Sequence, residues 1–168
     1  MKQTYQTLSH TFQPFYQADS KILILGSFPS VKSREEGFYY GHPRNRFYQV
    51  LATVFNDTLP STIGEKQQFL KRNHIAVWDV IDRCDIIGSK DSSIKNVVPS
   101  DINRILIGTQ ITHIYVNGKT AYRLYQKYLK PTVSLPVTEL PSTSPANAMY
   151  SLERLVAAWS VIDMELHL

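Results

Sequence analysis

Cysteine is nearly absent from this chain: Cys84 is the only one in 168 residues. No intrachain disulfide can form and no thiolate cluster can hold zinc, so stability has to come from packing. The five histidines, at 10, 42, 74, 113 and 167, show no metal-ligand spacing, and no metal is expected. No apolar run approaches the length that crosses a bilayer. The opening "MKQTYQTLSHTFQPFYQADS" has no apolar segment of the kind a signal peptide carries, so the expected location is the cytoplasm, away from membranes. Phosphate-binding glycine loops are missing as well. "GSFPS" at 26–30 has neither the lysine of a Walker A loop nor the glycine spacing of a dinucleotide fingerprint. No order of serine, histidine and acid declares a hydrolase triad, and no cofactor is expected.

What is present fits one folded domain over 1–168. The chain is 43% hydrophobic and 19% charged, enough apolar content for a real core. Eighteen basic against fourteen acidic side chains give +4, compatible with a polyanionic partner but common without one. Placement says more than the sum: Lys32, Arg34, Arg44 and Arg46 flank a single stretch, "ILGSFPSVKSREEGFYYGHPRNRFY".

Periodicity gives the organisation. "KILILG", 21–26, reads as a buried strand ending at glycine. After a long loop, "NRFYQVLATVFN", 45–56, repeats apolar residues at helical spacing. A helix over 64–73, a strand over 75–81, a looped crossover over 83–104 and a short helix around 101–110 follow. Next come a strand over 113–118, a helix through "KTAYRLYQKYL", and a strand over 132–140 edged by Pro136. In "STSPANAMYSLERLVAAW", Ser144 reads as an N-cap with Pro145 at the first helical position, placing polar residues at a helix N-terminus that suits an anion. This alternation predicts an α/β/α sandwich around a mostly parallel four-stranded sheet, with ligands beyond the carboxyl ends of the strands.

Two loops there carry candidate chemistry. Gly26, Ser27 and Phe28 are either a tight strand exit or one wall of a pocket. In "FYYGHPRNRF", aromatic rings can stack on a base, Arg44 or Arg46 can meet phosphate and Asn45 can orient a water. Equally, the rings can pack the sheet edge, Asn45 can cap the next helix and the arginines can be solvated. His42 offers either an acid or base near neutrality or a ring fixed by backbone hydrogen bonds before Pro43. The hydroxyls and amides of "STSPAN" serve as caps or as DNA contacts. Asp79, Asp82, Asp85 and Asp91 either include an active carboxylate or are capping and solvated groups.

Taken together, "GSFPSVKS", "FYYGHPRNRFY" and "STSPANA", with "WDVIDRCDIIGSKDSSI" and "YVNGKTA" between them, resemble the signatures of the hypoxanthine-DNA glycosylases, the sixth family of the uracil-DNA glycosylase superfamily. The resemblance runs from about Lys21 to Trp159 and implies the same three-layer fold. The opening segment is also similar to mismatch-specific uracil glycosylases, but Phe28 stands where those enzymes have their catalytic asparagine. The resemblance transfers the water-orienting role to Asn45. Ser142 stands where uracil-cleaving relatives have histidine or asparagine, which favours deoxyinosine as substrate, with uracil, xanthine or mismatch specificity as the enzyme alternatives and a non-catalytic damaged-DNA-binding module as the other.

The implied reaction is hydrolysis of the N-glycosidic bond of a flipped-out nucleotide, releasing hypoxanthine and leaving an abasic site, with no lysine nucleophile and no strand cleavage. It further implies that Tyr40 stacks on the base and Phe28 closes the other side. Main-chain groups near Gly26, Ser27 and Phe28, with Ser142, contact the leaving base. Lys32, Arg44 and Arg46 touch phosphates, Ser144 and Asn147 hold the backbone or fill the vacated space, and His42 shapes the loop or assists electrostatically. The expected partner is duplex DNA carrying a deaminated base, with single-stranded DNA as a second form, and the expected state is a monomer.

Overall fold

The computed structural model describes residues 4–166. Met1 to Gln3, the first residues of the stretch expected to hold no signal peptide, and His167 and Leu168 lie outside the described residues. The elements, in chain order, are β1 (Gln6–Ser9), β2 (Ile22–Gly26), α1 (Val31–Glu36), α2 (Phe47–Val54), α3 (Ile63–Arg72), β3 (Ile75–Asp79), β4 (Ile81–Ile86), β5 (Lys95–Pro99), α4 (Asn103–Leu106), β6 (His113–Asn117), α5 (Lys119–Tyr128), β7 (Val137–Leu140), α6 (Leu152–Trp159) and α7 (Val161–Leu166).

The central sheet has the order β3-β2-β6-β7 and is parallel throughout. Ile22 to Leu25 are wholly buried, as a strand covered on both faces must be. Helices flank this sheet to make the three-layer α/β/α sandwich. Phe47, Val50 and Leu51 of α2 are buried together with Leu155 and Trp159 of α6, and the Phe47 and Trp159 rings meet edge to face at 6.0 Å. The register brings Gly26 beside Asp79 and Asn117 beside Leu140, so the carboxyl ends of all four strands finish on one side of the molecule.

Four local expectations are corrected. The crossover over 83–104 is not irregular: β4 pairs antiparallel with β5 and with β1, forming a second, three-stranded sheet. Its pairing of Thr7 with Asp85 joins segments far apart in sequence, which no local pattern announces. The strand over 75–81 is split by Val80, whose N–H turns to the Gly26 carbonyl at 2.8 Å. The loop after β2 contains α1, capped by the Ser30 hydroxyl accepting from Ser33 N–H, and closed at Gly37 with φ 76°. Finally, Ser144 caps no helix. The C-terminal helix begins at Leu152, capped by Ser151 with Glu153 in its first turn. Residues 142–150 form an irregular loop, so the expected helix N-terminus for an anion does not exist there.

Candidate active site

A cavity of about 520 Å³ opens at the carboxyl ends of the strands, within the size range of small-ligand sites. Its floor is Gly26 and Asp79, and its walls bring together the β2–α1 turn, the Tyr39–Asn45 segment, Asn117 and the Ser142–Ala146 loop. Gly26, Ser27, Phe28, Lys32, Tyr40, His42, Asn45, Ser142 and Ser144 all line it. Arg44, Arg46 and Asn147 do not.

Asn45 is fixed by two donors. Its Oδ1 accepts from Phe47 N–H at 2.9 Å, at the start of α2, and from the Thr143 hydroxyl at 2.8 Å. A backbone N–H can only donate, so this contact settles which amide atom is oxygen. Both lone pairs of Oδ1 are then occupied, and the polar atom Asn45 has left is its Nδ2. Thr143, wholly buried, is the hub of this wall. Its hydroxyl and N–H engage the Asn117 amide, each at 3.0 Å, and its carbonyl accepts from Arg46 N–H at 3.0 Å. Thus the ends of β6 and α2 and the second loop are knitted into one rigid network behind Asn45.

Tyr40 sits in the left-handed region at φ 57°, where only a non-glycine residue held by its surroundings persists. One face of its ring stacks on Phe47, with centroids 3.8 Å apart and planes inclined by 15°. Its buried hydroxyl lies near the Asn117 amide without a well-formed hydrogen bond to it. Burial, and then the neighbouring Asp79 charge, push that hydroxyl's pKa well above the usual tyrosine range, so it remains a neutral donor. Phe28 meets the His10 ring edge to face at 6.1 Å, with the Arg34 guanidinium 5.8 Å over its own ring. The carbonyls of Gly26 and Ser27 are taken by Val80 and Ile81 N–H at 2.8 and 3.1 Å.

His42 accepts from Arg44 N–H at its Nδ1, 3.1 Å away, which places the hydrogen of a neutral ring on Nε2. The Ser142 hydroxyl accepts from Ser144 N–H at 3.1 Å, and Gly118 makes room for it: a Cβ there would lie 3.0 Å from that of Ser142. Ser144 accepts from Ala146 N–H at 3.2 Å, and the Asn147 amide donates to the Ser142 carbonyl at 2.9 Å. Lys32 is exposed at the rim, 3.5 Å from Glu36, and Arg44 is exposed.

Arg46 departs from the expected phosphate contact. Its guanidinium turns inward and donates to the carbonyls of Tyr150 at 2.6 Å and Asn147 at 3.1 Å, bracing the second loop. Sequence reasoning also missed Thr143, Asn117 and His10. Asp79 was one of four weighed aspartates, and its place at the end of a buried strand is the signal that singles it out. It is the only one of the four that is buried.

A parallel α/β/α sandwich with a cavity of small-ligand size where its strands end is a ligand-binding architecture. The model of the uracil DNA glycosylase superfamily matches residues 13–162. Two curated archaeal proteins, each called hypoxanthine DNA glycosylase, are similar over most of their length. The one from Methanosarcina barkeri is 31% identical over 154 residues, covering 89% of this chain and 94% of its own. The one from Methanosarcina acetivorans is 32% identical over 145 residues, covering 85% and 90%. The solution NMR structure of a candidate uracil DNA glycosylase from Methanosarcina acetivorans superposes with a TM-score of 0.80 at 29% identity, covering 94% of this chain and 97% of that one. The chain belongs to the uracil DNA glycosylase superfamily, in its hypoxanthine DNA glycosylase branch.

Proposed function

We propose that this protein is a monofunctional DNA glycosylase that releases hypoxanthine from deoxyinosine and leaves an abasic site, acting as a monomer on duplex DNA and on single strands. The observation that carries the reading is the Asn45 amide, locked by Thr143 and Phe47 N–H on the wall of a base-sized cavity. With Oδ1 saturated, Asn45 does not pull a proton from water. It offers Nδ2–H to the water oxygen and so aims a lone pair at the sugar. That suits a reaction in which the N-glycosidic bond breaks ahead of attack and the anomeric carbon is already positive. Positioning, rather than deprotonation, is then the main demand on this residue.

The base must leave the helical stack to reach this cavity, at a cost lowered by the weak pairing of a deaminated base. Tyr40, with Phe47 on one face of its ring, stacks on the base with the other, and Phe28, which lines the same cavity, closes the far side. The N–H groups of this turn, whose Gly26 and Ser27 carbonyls each already accept one bond, meet the leaving base and favour developing negative charge. Exposed Lys32 and Arg44 supply attraction to phosphate without sequence preference.

The test is single-turnover incubation with matched duplexes containing deoxyinosine, uracil or xanthine, with free base identified and strands analysed before and after alkali. Free hypoxanthine, with nicks only after alkali, supports the reading. Release of uracil instead overturns the substrate, and tight binding with no free base from any lesion overturns the enzyme.

A further inference from the structure

His10 belongs to the site although no motif contains it. It follows β1, with its side chain only 1% exposed. Its Nδ1 lies 2.7 Å from the Phe12 carbonyl, and a carbonyl only accepts, so Nδ1 carries a hydrogen. Its Nε2 lies 2.8 Å from Asp79 Oδ2. A neutral ring with its hydrogen on Nδ1 would set Nε2 as an acceptor against a carboxylate oxygen, also an acceptor. A contact of 2.8 Å therefore requires one more proton between the two side chains.

The other carboxylate oxygen faces the cavity floor. A Cβ added to Gly26 would lie 2.6 Å from Asp79 Oδ1 and 3.3 Å from the Tyr40 hydroxyl, so both polar atoms converge on the bare Cα of that glycine. The Tyr40 hydroxyl lies beside the Asn117 amide, whereas Asp79 Oδ1 has no hydrogen-bond partner among the described residues. An unpaired acceptor on the cavity floor points to a ligand presenting an N–H.

We propose that His10 is a positioning residue for the reaction: as an imidazolium it donates Nε2–H to the Asp79 carboxylate and holds it aimed at the flipped base. This rests on the glycosylase reading above. Deamination of adenine converts N1 from an acceptor into an N–H donor and replaces the adjacent amino group with a carbonyl. A fixed carboxylate attracts the new N–H and repels the lone pair of adenine N1. The pair thus responds to the chemical change that defines the damage, and it does so only while the imidazolium Nε2–H holds the carboxylate in place.

The groups around His10 keep it protonated. Burial works to lower its pKa, but the hydrogen bond to and charge of Asp79, the Phe12 carbonyl and the Asp82 charge together raise it above the ordinary histidine value. Asp82, on β4, also accepts from His10 N–H at 2.6 Å through its carbonyl. Tyr39, whose ring centroid is 5.9 Å away, is pushed far up by burial and by Asp79 and stays neutral. Asp91 stands at the cavity mouth, 3.4 Å from the Ser27 hydroxyl, and the Asp79 charge reaches it too. The remaining contacts, Phe12 and Phe28, are apolar rings.

The test pairs two readouts on the full chain. Imidazole nitrogen NMR follows the protonation of His10 against pH, with no DNA present. Single-turnover base release from saturating deoxyinosine duplex is followed over the same range for the wild type and for His10→Gln, whose amide donates but does not titrate. The expected result is a doubly protonated His10 at pH 7, and a wild-type rate that falls about tenfold or more as pH rises through the NMR midpoint. In His10→Gln that limb is missing. The substrate's own N1–H titrates on the alkaline side as well, but that effect is common to both proteins. A neutral His10 at pH 7, or an unchanged limb in His10→Gln, overturns the proposal. If the glutamine variant does not fold, agreement or disagreement of the two wild-type midpoints decides. Absence of base release from any lesion overturns the glycosylase reading instead, and leaves the imidazole titration to be judged alone.

Discussion

Asn45 and Thr143 divide the work at the second wall of the cavity. In the proposed reaction Asn45 meets substrate, and Thr143, through one hydroxyl that accepts from Asn117 and donates to Asn45, holds the Asn45 amide in place. Thr143→Val keeps the shape and removes the hydroxyl. It leaves the Asn117 Nδ2 and one lone pair of Asn45 Oδ1 without their partner, at a cost of about 1–3 kcal/mol in stability. The freed Asn45 amide can rotate, so the single-turnover rate at saturating DNA should fall about tenfold or more while DNA affinity changes little. Denaturant melts and rate measurements on the same variant check both halves. Asn45 was legible in the sequence because it stands inside a dense polar and aromatic motif. Thr143 was not, since a threonine flanked by two serines has no signal that marks it as the buried member. His10 was illegible for a different reason: its partner Asp79 is 69 residues away, and only the fold brings them together.

At the scale of elements, the second loop takes its shape from its neighbours rather than from its own propensities. Arg46 at the N-terminus of α2 holds the Tyr150 and Asn147 carbonyls, Arg154 of α6 holds that of Met149 at 3.1 Å, and the Trp159 indole holds that of Pro141 at 2.9 Å. Serine followed by proline reads as a helix start, but residues 144–150 have no apolar stripe to bury. The chain becomes helical only where Leu155 and Trp159 can reach the core. Arg46→Ala should cost about 1.5–3 kcal/mol by orphaning two carbonyls bonded to a charged donor. It should also raise hydrogen exchange across the loop and weaken DNA binding without changing the salt dependence. A salt slope reduced by about one would instead mean that Arg46 sits on a phosphate. The parallel strands were plain in the sequence because burial on both faces leaves continuous apolar runs. The antiparallel sheet was hidden because its strands are short and largely polar, and β4 carries exposed Asp82 and Arg83.

Over the whole molecule, most ion pairs are peripheral, and the Asp57–Arg72 pair is the best formed of them. Arg72 Nε and Nη2 reach the two carboxylate oxygens at 2.8 and 2.9 Å, and Asn73 adds a third bond at 3.0 Å, tying the end of α3 to the loop after α2. The Arg72 hydrogen bonds hold the Asp57 carboxyl well below the usual range. A carboxyl depressed in the folded state contributes stability above its unfolded pKa, and that contribution is lost as pH falls through the folded value. The pair is largely open to solvent, so its worth is about 1 kcal/mol or less. Melts of wild type and Asp57→Asn should therefore differ slightly at neutral pH and converge below about pH 4, where Asp57 in the unfolded chain is protonated. A difference that persists undiminished toward pH 1 contradicts this assignment.

Chemistry at the cavity depends on the frame remaining intact while single groups are changed, and Asn45 is the group on which the account turns. The most direct measurement is single-turnover release of hypoxanthine from saturating deoxyinosine duplex by the wild type and by Asn45→Ala, with binding and folding measured in parallel. The account predicts a rate lower by about a hundredfold to a thousandfold, with affinity for the duplex nearly unchanged, as for loss of a group that acts in the transition state. An unchanged rate, or a loss that saturating DNA restores, contradicts it.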